Sequence, residues 1–198
     1  IKKEGYEADD ILGTLALWAR EGKWESYNLD VYLVTGDRDF LQLVGDNVYA
    51  CLPANSTFSS ILAYDKEKTF EKYGYNPAQV VDFKAIVGDA SDNIPGIKGV
   101  GEKSAKTLLA KYGTLDKIYE NLDDLTDRQK NLFAEGVEQA EFSRDLATIK
   151  TDVDLDLKLE DCLFRDFNEK EVTDAFQSFE FKSLISRIPK SINGDNGN

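Results

Sequence analysis

The order of apolar and polar residues divides the chain into an alternating half and a helical half. Glu7 to Arg20 predicts a helix, because Ile11, Leu15 and Trp18 recur at helical spacing and acidic residues occupy the first turn, where the helix dipole favours them. Val31-Tyr32-Leu33-Val34-Thr35 is a short run of β-formers between Asp30 and Gly36, the pattern of a buried strand. A short helix through Phe40 to Val44 follows, then strands around Asn47–Leu52 and Ser60–Tyr64. Asp65 to Tyr73 and Asn76 to Val87 predict two more helices, the second with Pro77 near its first turn. Strand–helix alternation of this kind implies an α/β layer with at least one parallel pairing.

After Gly88 the character changes. Glycines and lysines gather in Gly96-Ile97-Lys98-Gly99-Val100-Gly101, and the chain then reads as helical to about Lys150. In Thr151 to Asp161, Val153, Leu155, Leu157 and Leu159 alternate with mainly acidic residues, which predicts an edge strand. Glu169 to Phe179 closes the pattern as an amphipathic helix, and the Gly- and Asn-rich end reads as linker. The expected divisions are an α/β part at 1–87, a helical part at 88–150, a strand-and-helix part at 151–188 and a tail at 189–198.

At 198 residues with 41% hydrophobic content the chain can bury a core, and its apolar runs are too short to span a membrane. There is no basic-then-apolar leader, and the first residue is Ile1 in a chain without Met, so both ends read as cuts within something longer. Cys51 and Cys162 lack metal-site spacing and read as reduced thiols, which with the missing leader suggests the cytoplasm. The net charge of −13 argues on average against a nucleic-acid partner. The distribution reverses that inference locally, since Pro95 to Tyr112 holds Lys98, Lys103, Lys106 and Lys111 against Glu102 alone.

Three acidic groupings stand out: Glu7-Ala8-Asp9-Asp10, Asp37-Arg38-Asp39 and Asp89-Ala90-Ser91-Asp92. Acidic pairs are common on any solvated face. Asp37 and Asp39, however, follow directly on the carboxyl end of a predicted strand, where open α/β sheets build their sites. The three-residue spacing of Asp89 and Asp92, and of Glu7 and Asp10, would put each pair on one face of a helical turn. Carboxylates are the ligands that magnesium and manganese prefer, and two such ions can drive phosphodiester hydrolysis. The chain has no histidine, so histidine-ligated zinc, a Ser-His-Asp triad and an imidazole-activated cysteine are all excluded. The glycine segment matches neither a dinucleotide fingerprint nor a P-loop. It fits either a plain helix–helix turn or a backbone anchor for phosphate at the start of the following helix.

Together, Glu7-Ala8-Asp9-Asp10-Ile11-Leu12, Thr35 to Leu43 and Gly88 to Lys103 resemble the signature blocks of the 5′–3′ exonuclease domain of bacterial DNA polymerase I, in the 5′-nuclease and flap endonuclease family. The resemblance runs from about Glu4 to Ile188. It implies a partial Rossmann-like (PIN-like) parallel sheet layer followed by a mainly helical helix-hairpin-helix DNA-binding subdomain. It implies metal ligation by Glu7, Asp9, Asp10, Asp37, Asp39, Asp89 and Asp92, with two or more Mg²⁺ or Mn²⁺ ions. It implies phosphate anchoring by Gly96, Ile97, Lys98, Gly99, Val100, Gly101, Lys103 and Lys106, with K⁺ at the hairpin. The expected substrate is DNA with 5′ flaps, nicks or ends, bound without sequence preference by a monomer, with a polymerase domain in the same full-length chain.

The family begins with a strand bearing a metal-binding aspartate, a further aspartate and a basic helical arch, none of which precedes Glu7 here. The expectation is that this polypeptide alone cleaves weakly or needs that segment supplied. The competing readings are a non-catalytic helix-hairpin-helix module that binds duplex DNA, and a protein-interaction domain without nucleic acid.

Overall fold

In the computed structural model, residues 1–24, 28–54, 60–163 and 167–189 are described. The linker expected at 189–198 lies outside them apart from Pro189. The chain divides into two compact units, Ile1–Leu155 and Asp156–Asn198.

In the first unit, α1 (Ala8–Arg20) starts with two acidic residues in its first turn and buries Ile11, Thr14 and Ala16. Strand β1 (Val31–Val34) pairs in parallel with β2 (Val48–Pro53), from Val31 opposite Val48 to Val34 opposite Cys51. Strand β3 (Ile61–Tyr64) pairs antiparallel on the other side of β2. The central strand is therefore β2, whose Val48, Ala50 and Leu52 point into a core with Leu33, Phe40 and Leu41. The helix expected after β1 is a 3-10 turn, Arg38–Leu43, which buries Phe40, Leu41 and Leu43. Cys51 is buried and Cys162 exposed, both as free thiols.

Helix α2 (Lys66–Tyr73) is capped by Asp65 and ends at Gly74 in the left-handed region. The predicted Asn76–Val87 helix divides into a 3-10 turn at Pro77–Gln79 and α3 (Val80–Val87). The helical layer continues with α4 (Glu102–Tyr112), α5 (Leu115–Glu120), α6 (Asp127–Glu135) and α7 (Val137–Ala147). Ile86, Ile97, Leu109, Ile118 and Phe133 form its core, and α3 packs most extensively on α7. Charged groups fasten this layer: buried Asp82 on α3 accepts from the Leu115 amide at 2.9 Å and pairs with Arg144 of α7 at 3.1 Å. Arg144 also reaches Asp116 at 2.8 Å, so one guanidinium ties α7 to α3 and α5.

The predicted edge strand fails. Thr151 to Asp161 forms no strand: 151–158 are irregular and Leu159–Cys162 is a 3-10 turn. A strand needs a ladder, whereas the amides of Val153 and of Lys150, just before this segment, go to side chains. Lys150 N donates to Asp10 Oδ1 at 2.9 Å and Val153 N to Thr14 Oγ1 at 3.1 Å. In the second unit, α8 (Glu169–Ser178) matches the predicted last helix and is capped by Asn168, and a short α9 (Lys182–Ile185) follows. No described helix is long and apolar enough to cross a membrane.

Candidate metal centre

Three segments of the first unit deliver the carboxylates. The first leaves β1 at its carboxyl end. Thr35 N is held by Cys51 O at 3.1 Å, Asp37 N donates to Thr35 Oγ1 at 3.0 Å and Asp39 N to Asp37 Oδ1 at 2.8 Å. With Phe40 and Leu41 fully buried behind it, this turn fixes where the Asp39 side chain points.

The second is the loop after α3. Asp89 and Ile94 exchange backbone hydrogen bonds of 2.9 and 2.8 Å, pinching residues 89–94 into a tight turn rather than the predicted helical one. The pinch requires glycine at its base. Gly88 and Gly96 have φ of 81° and 63°, and a Cβ on Gly96 would stand 2.3 Å from Gly88 N. Asp89 Oδ1 also accepts from Ser91 N at 2.9 Å and Ser91 Oγ at 2.5 Å.

The outcome is a triad. Carboxylate oxygens of Asp39, Asp89 and Asp92 lie within 4.8 Å of one another. Three hard oxygen donors gathered in this way could hold a divalent metal ion. Lys84, buried on α3, reaches into the same space. Its Nζ hydrogen-bonds Asp39 and lies 2.7 Å from Asp89 and 3.3 Å from Asp92. Burial drives Asp39 up to about 6 despite its bond to Lys84. Asp89 sits nearer solvent, so its smaller burial cost is outweighed by Lys84 and Ser91 and it falls to about 2. Burial would lower Lys84, but its bonds to Asp39 and Asp89 raise it above the lysine range.

The third segment is the start of α1. Glu7, Asp9, Asp10, Asp37, Asp39 and Asp92 line one open cleft of about 540 Å³, whose far wall is residues 145–150. Asp89 lines an adjoining cleft with Asp37, Asp39 and Asp92. The Asp9 carboxyl is raised, first by burial and then by the charge of Asp37, which places the two acidic groups in electrical contact. Asp10 also braces the local structure, its oxygens accepting from Glu7 N at 3.1 Å and Lys150 N at 2.9 Å. All seven predicted carboxylates thus meet in two adjoining clefts, with Asp39, Asp89 and Asp92 in closest approach and Glu7, Asp9, Asp10 and Asp37 around them.

The glycine segment lies between α3 and α4 as predicted. The Ile97 and Val100 side chains are buried, so only their backbone is available to a ligand. Gly96 is internal, its N donating to Ser143 Oγ at 3.0 Å. Lys98, Gly99, Gly101 and Lys103 are exposed at the tip and at the start of α4. Lys106 is turned inward, 3.6 Å from Glu102 and over the rings of Phe83 and Tyr75.

Two family models divide the chain between them. That of the 5′–3′ exonuclease N-terminal resolvase-like domain matches residues 1–74, and that of the 5′–3′ exonuclease C-terminal SAM fold matches 75–170. The chain belongs to the 5′–3′ exonuclease family. It is 41% identical over 189 residues to DNA polymerase I of Caldicellulosiruptor bescii, covering 95% of this chain and 22% of that one. It is 40% identical over 187 residues to the 5′–3′ exonuclease of Bacillus subtilis, covering 94% of this chain and 60% of that one. The chain therefore spans about a fifth of the polymerase relative's length and 60% of the exonuclease relative's. A solved structure of the bacteriophage T5 5′-exonuclease with bound zinc shares the fold, with a TM-score of 0.60 at 24% identity over 76% of this chain and 53% of that one. The bacteriophage T5 flap endonuclease in complex with DNA and metal ions aligns equally well, at 23% identity over 76% of this chain and 52% of that one.

Within this exonuclease fold, Lys84 is the site residue that sequence reasoning missed. Its signal was a lone cation in the apolar stretch Val80-Val81-Asp82-Phe83-Lys84-Ala85-Ile86-Val87, five residues before Asp89.

Proposed function

We propose that this chain is the metal- and duplex-binding part of a structure-specific 5′–3′ exonuclease and flap endonuclease. It acts on DNA phosphodiesters at flaps, nicks or 5′ ends in replication and repair. The observation that carries the reading is the convergence of Asp39, Asp89 and Asp92, with Glu7, Asp9, Asp10 and Asp37 lining the same clefts. Asp39, Asp89 and Asp92 hold one Mg²⁺ or Mn²⁺, and Glu7, Asp9 and Asp10, with Asp37 between the groups, contribute to another. When bound, such a pair supplies an activated water and stabilises the leaving oxygen.

The chain's own residues do the rest. The 35–39 turn and the pinched 88–94 loop set the carboxylates on short, tethered segments rather than on a free surface loop. The exposed amides around Gly99 and Gly101, with Lys98 and Lys103, grip duplex phosphates without reading bases, so binding is indifferent to sequence. A K⁺ ion at the hairpin would add to that grip. Ile97 and Val100 anchor the hairpin from within. A monomer acting in the cytoplasm, with a polymerase domain in the same polypeptide, completes the reading.

The test compares Asp37→Asn/Asp39→Asn with the unsubstituted protein in the intact gene product. Magnesium-dependent release of a 5′ flap is expected to fall by at least about 100-fold, while binding to the flapped duplex in EDTA is kept. Unchanged cleavage in the double variant overturns the metal assignment. Flap binding without any cleavage in the unsubstituted protein would leave only a duplex-binding module.

A further inference from the structure

Lys84 has a position that an ordinary surface ion pair does not explain. Its side chain rises from α3 into the middle of three carboxylates that come from two other segments, the 35–39 turn and the 88–94 loop. An ammonium has three N–H donors, and here each has a different carboxylate to meet. The ligand oxygens of Asp39, Asp89 and Asp92 lie within 4.8 Å of one another, so they bound one small region. The Lys84 nitrogen occupies it. A divalent ion held by the same oxygens would need that region too. Lys84 and such an ion are therefore alternatives for one place. Burial sharpens the point, since its side chain is only 11% exposed and three carboxylates this close would repel one another without a cation between them.

We propose that Lys84 is a built-in counter-cation: in the metal-free protein its ammonium holds Asp39, Asp89 and Asp92 converged, and a divalent ion entering the triad displaces it. Lys84 is a positioning residue in this account, acting through the carboxylates. The proposal rests on the metal-site reading above and adds a regulation to it. The site is assembled before metal arrives, and metal affinity is set below what three bare carboxylates would give. A flexible four-carbon stem suits the role, because it lets the ammonium withdraw without moving α3. A residue that merely supports a metal site has the opposite signature, since losing it weakens metal binding by about 10–100-fold. The direction of the affinity change thus separates the two roles.

The experiment titrates Mn²⁺ calorimetrically into the unsubstituted protein, Lys84→Met, Lys84→Arg and Asp39→Asn, with thermal unfolding in EDTA and in Mn²⁺. For Lys84→Met, the melting temperature in EDTA is expected to fall, Mn²⁺ binding to tighten by about tenfold or more for the charge removed, and Mn²⁺ to restore the lost stability. Lys84→Arg keeps a cation and is expected to hold the EDTA melting temperature. If Lys84→Met folds only when Mn²⁺ is present, that also supports the proposal. Equal or weaker Mn²⁺ affinity in folded Lys84→Met overturns it. Should that variant fail to fold under any condition, the unsubstituted protein decides. The Lys84 ammonium resonance, protected from exchange in EDTA, is expected to shift or vanish as Mg²⁺ saturates the Asp39-dependent site, and a resonance left unmoved at saturation overturns the proposal. If no form binds Mn²⁺, the metal-site reading itself falls. If binding depends on Asp39 but is indifferent to Lys84, only the counter-cation is lost.

Discussion

Tyr119 sits on α5 with its ring edge-on to Phe133 and its hydroxyl buried without a hydrogen-bond partner among the described residues. A buried hydroxyl that has given up water and gained nothing costs about 1–3 kcal/mol. Tyr119→Phe keeps the ring packing and is expected to raise stability at pH 7 by up to that amount, read from the midpoint of urea unfolding. Alkali gives an independent check. Burial, and then the charge of Glu141, lift the Tyr119 hydroxyl from 10.0 to about 12. The folded state therefore prefers the neutral phenol, and that preference contributes stability that is intact below pH 10 and lost as pH rises toward 12. Removing the group is expected to flatten the alkaline decline over that range, although Tyr75, also raised to about 12 by burial, keeps part of it. A variant less stable than the original at pH 7 would mean that the hydroxyl has a partner after all. At this scale the sequence told acidic residues from neutral ones but not which residues were buried. The carboxylates were legible because they cluster within a few positions of one another. Lys84 was not, because its first partner, Asp39, is 45 residues away and only the folded chain brings them together.

Between residues and the whole molecule, the elements explain why the acidic loop is so well defined. Gly88 and Gly96 both lie at positive φ and press backbone against backbone where α3 ends and the hairpin begins. A Cβ on Gly96 meets Gly88 N at 2.3 Å and Val87 C at 2.5 Å, neither of which can move aside as a side-chain tip could. Gly96→Ala is expected to cost more than about 2 kcal/mol, from the left-handed backbone and the clash together. It should also weaken Mn²⁺ binding, because Asp89 and Asp92 hang from the same pinch. Gly101→Ala is the control. Its Cβ would have nothing within 4 Å and its φ of −96° suits any residue, so its cost should stay at the roughly 1 kcal/mol of alanine at the N-cap of α4. Equal melting temperatures for the two variants would refute the pinch. Elements with strong periodicity, such as α1, β2 and α8, were readable from the chain. The alternation at Val153, Leu155 and Leu157 misled because period two shows only that successive side chains point opposite ways. Pairing depends on a neighbour, and here Thr14 on α1 takes the Val153 amide while Asp10 takes that of Lys150 just before the segment. The 88–94 turn was misread for a related reason, since three-residue spacing suits a tight bridge as well as a helix.

For the molecule as a whole, the proposed function raises the question of how a chain of net charge −13 would hold a polyanion. The two charge signs occupy different places: carboxylates line the clefts, while Lys98 and Lys103 stand exposed on the hairpin and the start of α4. Under the proposed function, DNA binding then has two separable terms. The hairpin term is counter-ion release, so Lys98→Ala and Lys103→Ala should each weaken binding equally for all sequences and each lower the slope of log affinity against log salt by about 0.9. Lys106→Ala should change the slope less, because that ammonium is already held by Glu102 and by the faces of Phe83 and Tyr75. The cleft term is repulsion between bare carboxylates and the phosphate chain, and a divalent ion relieves it. Flapped-duplex affinity at constant ionic strength should therefore rise when Ca²⁺ replaces EDTA. The rise should shrink in Asp39→Asn, which loses a ligand and with it much of the ion. Lys98→Ala, by contrast, should keep the full calcium effect on a weaker baseline. Fluorescence anisotropy over a salt series, with and without Ca²⁺, measures both terms at once. If Asp39→Asn and Lys98→Ala changed the same term, the hairpin and the clefts would not be the separate anchors that their positions in the fold imply.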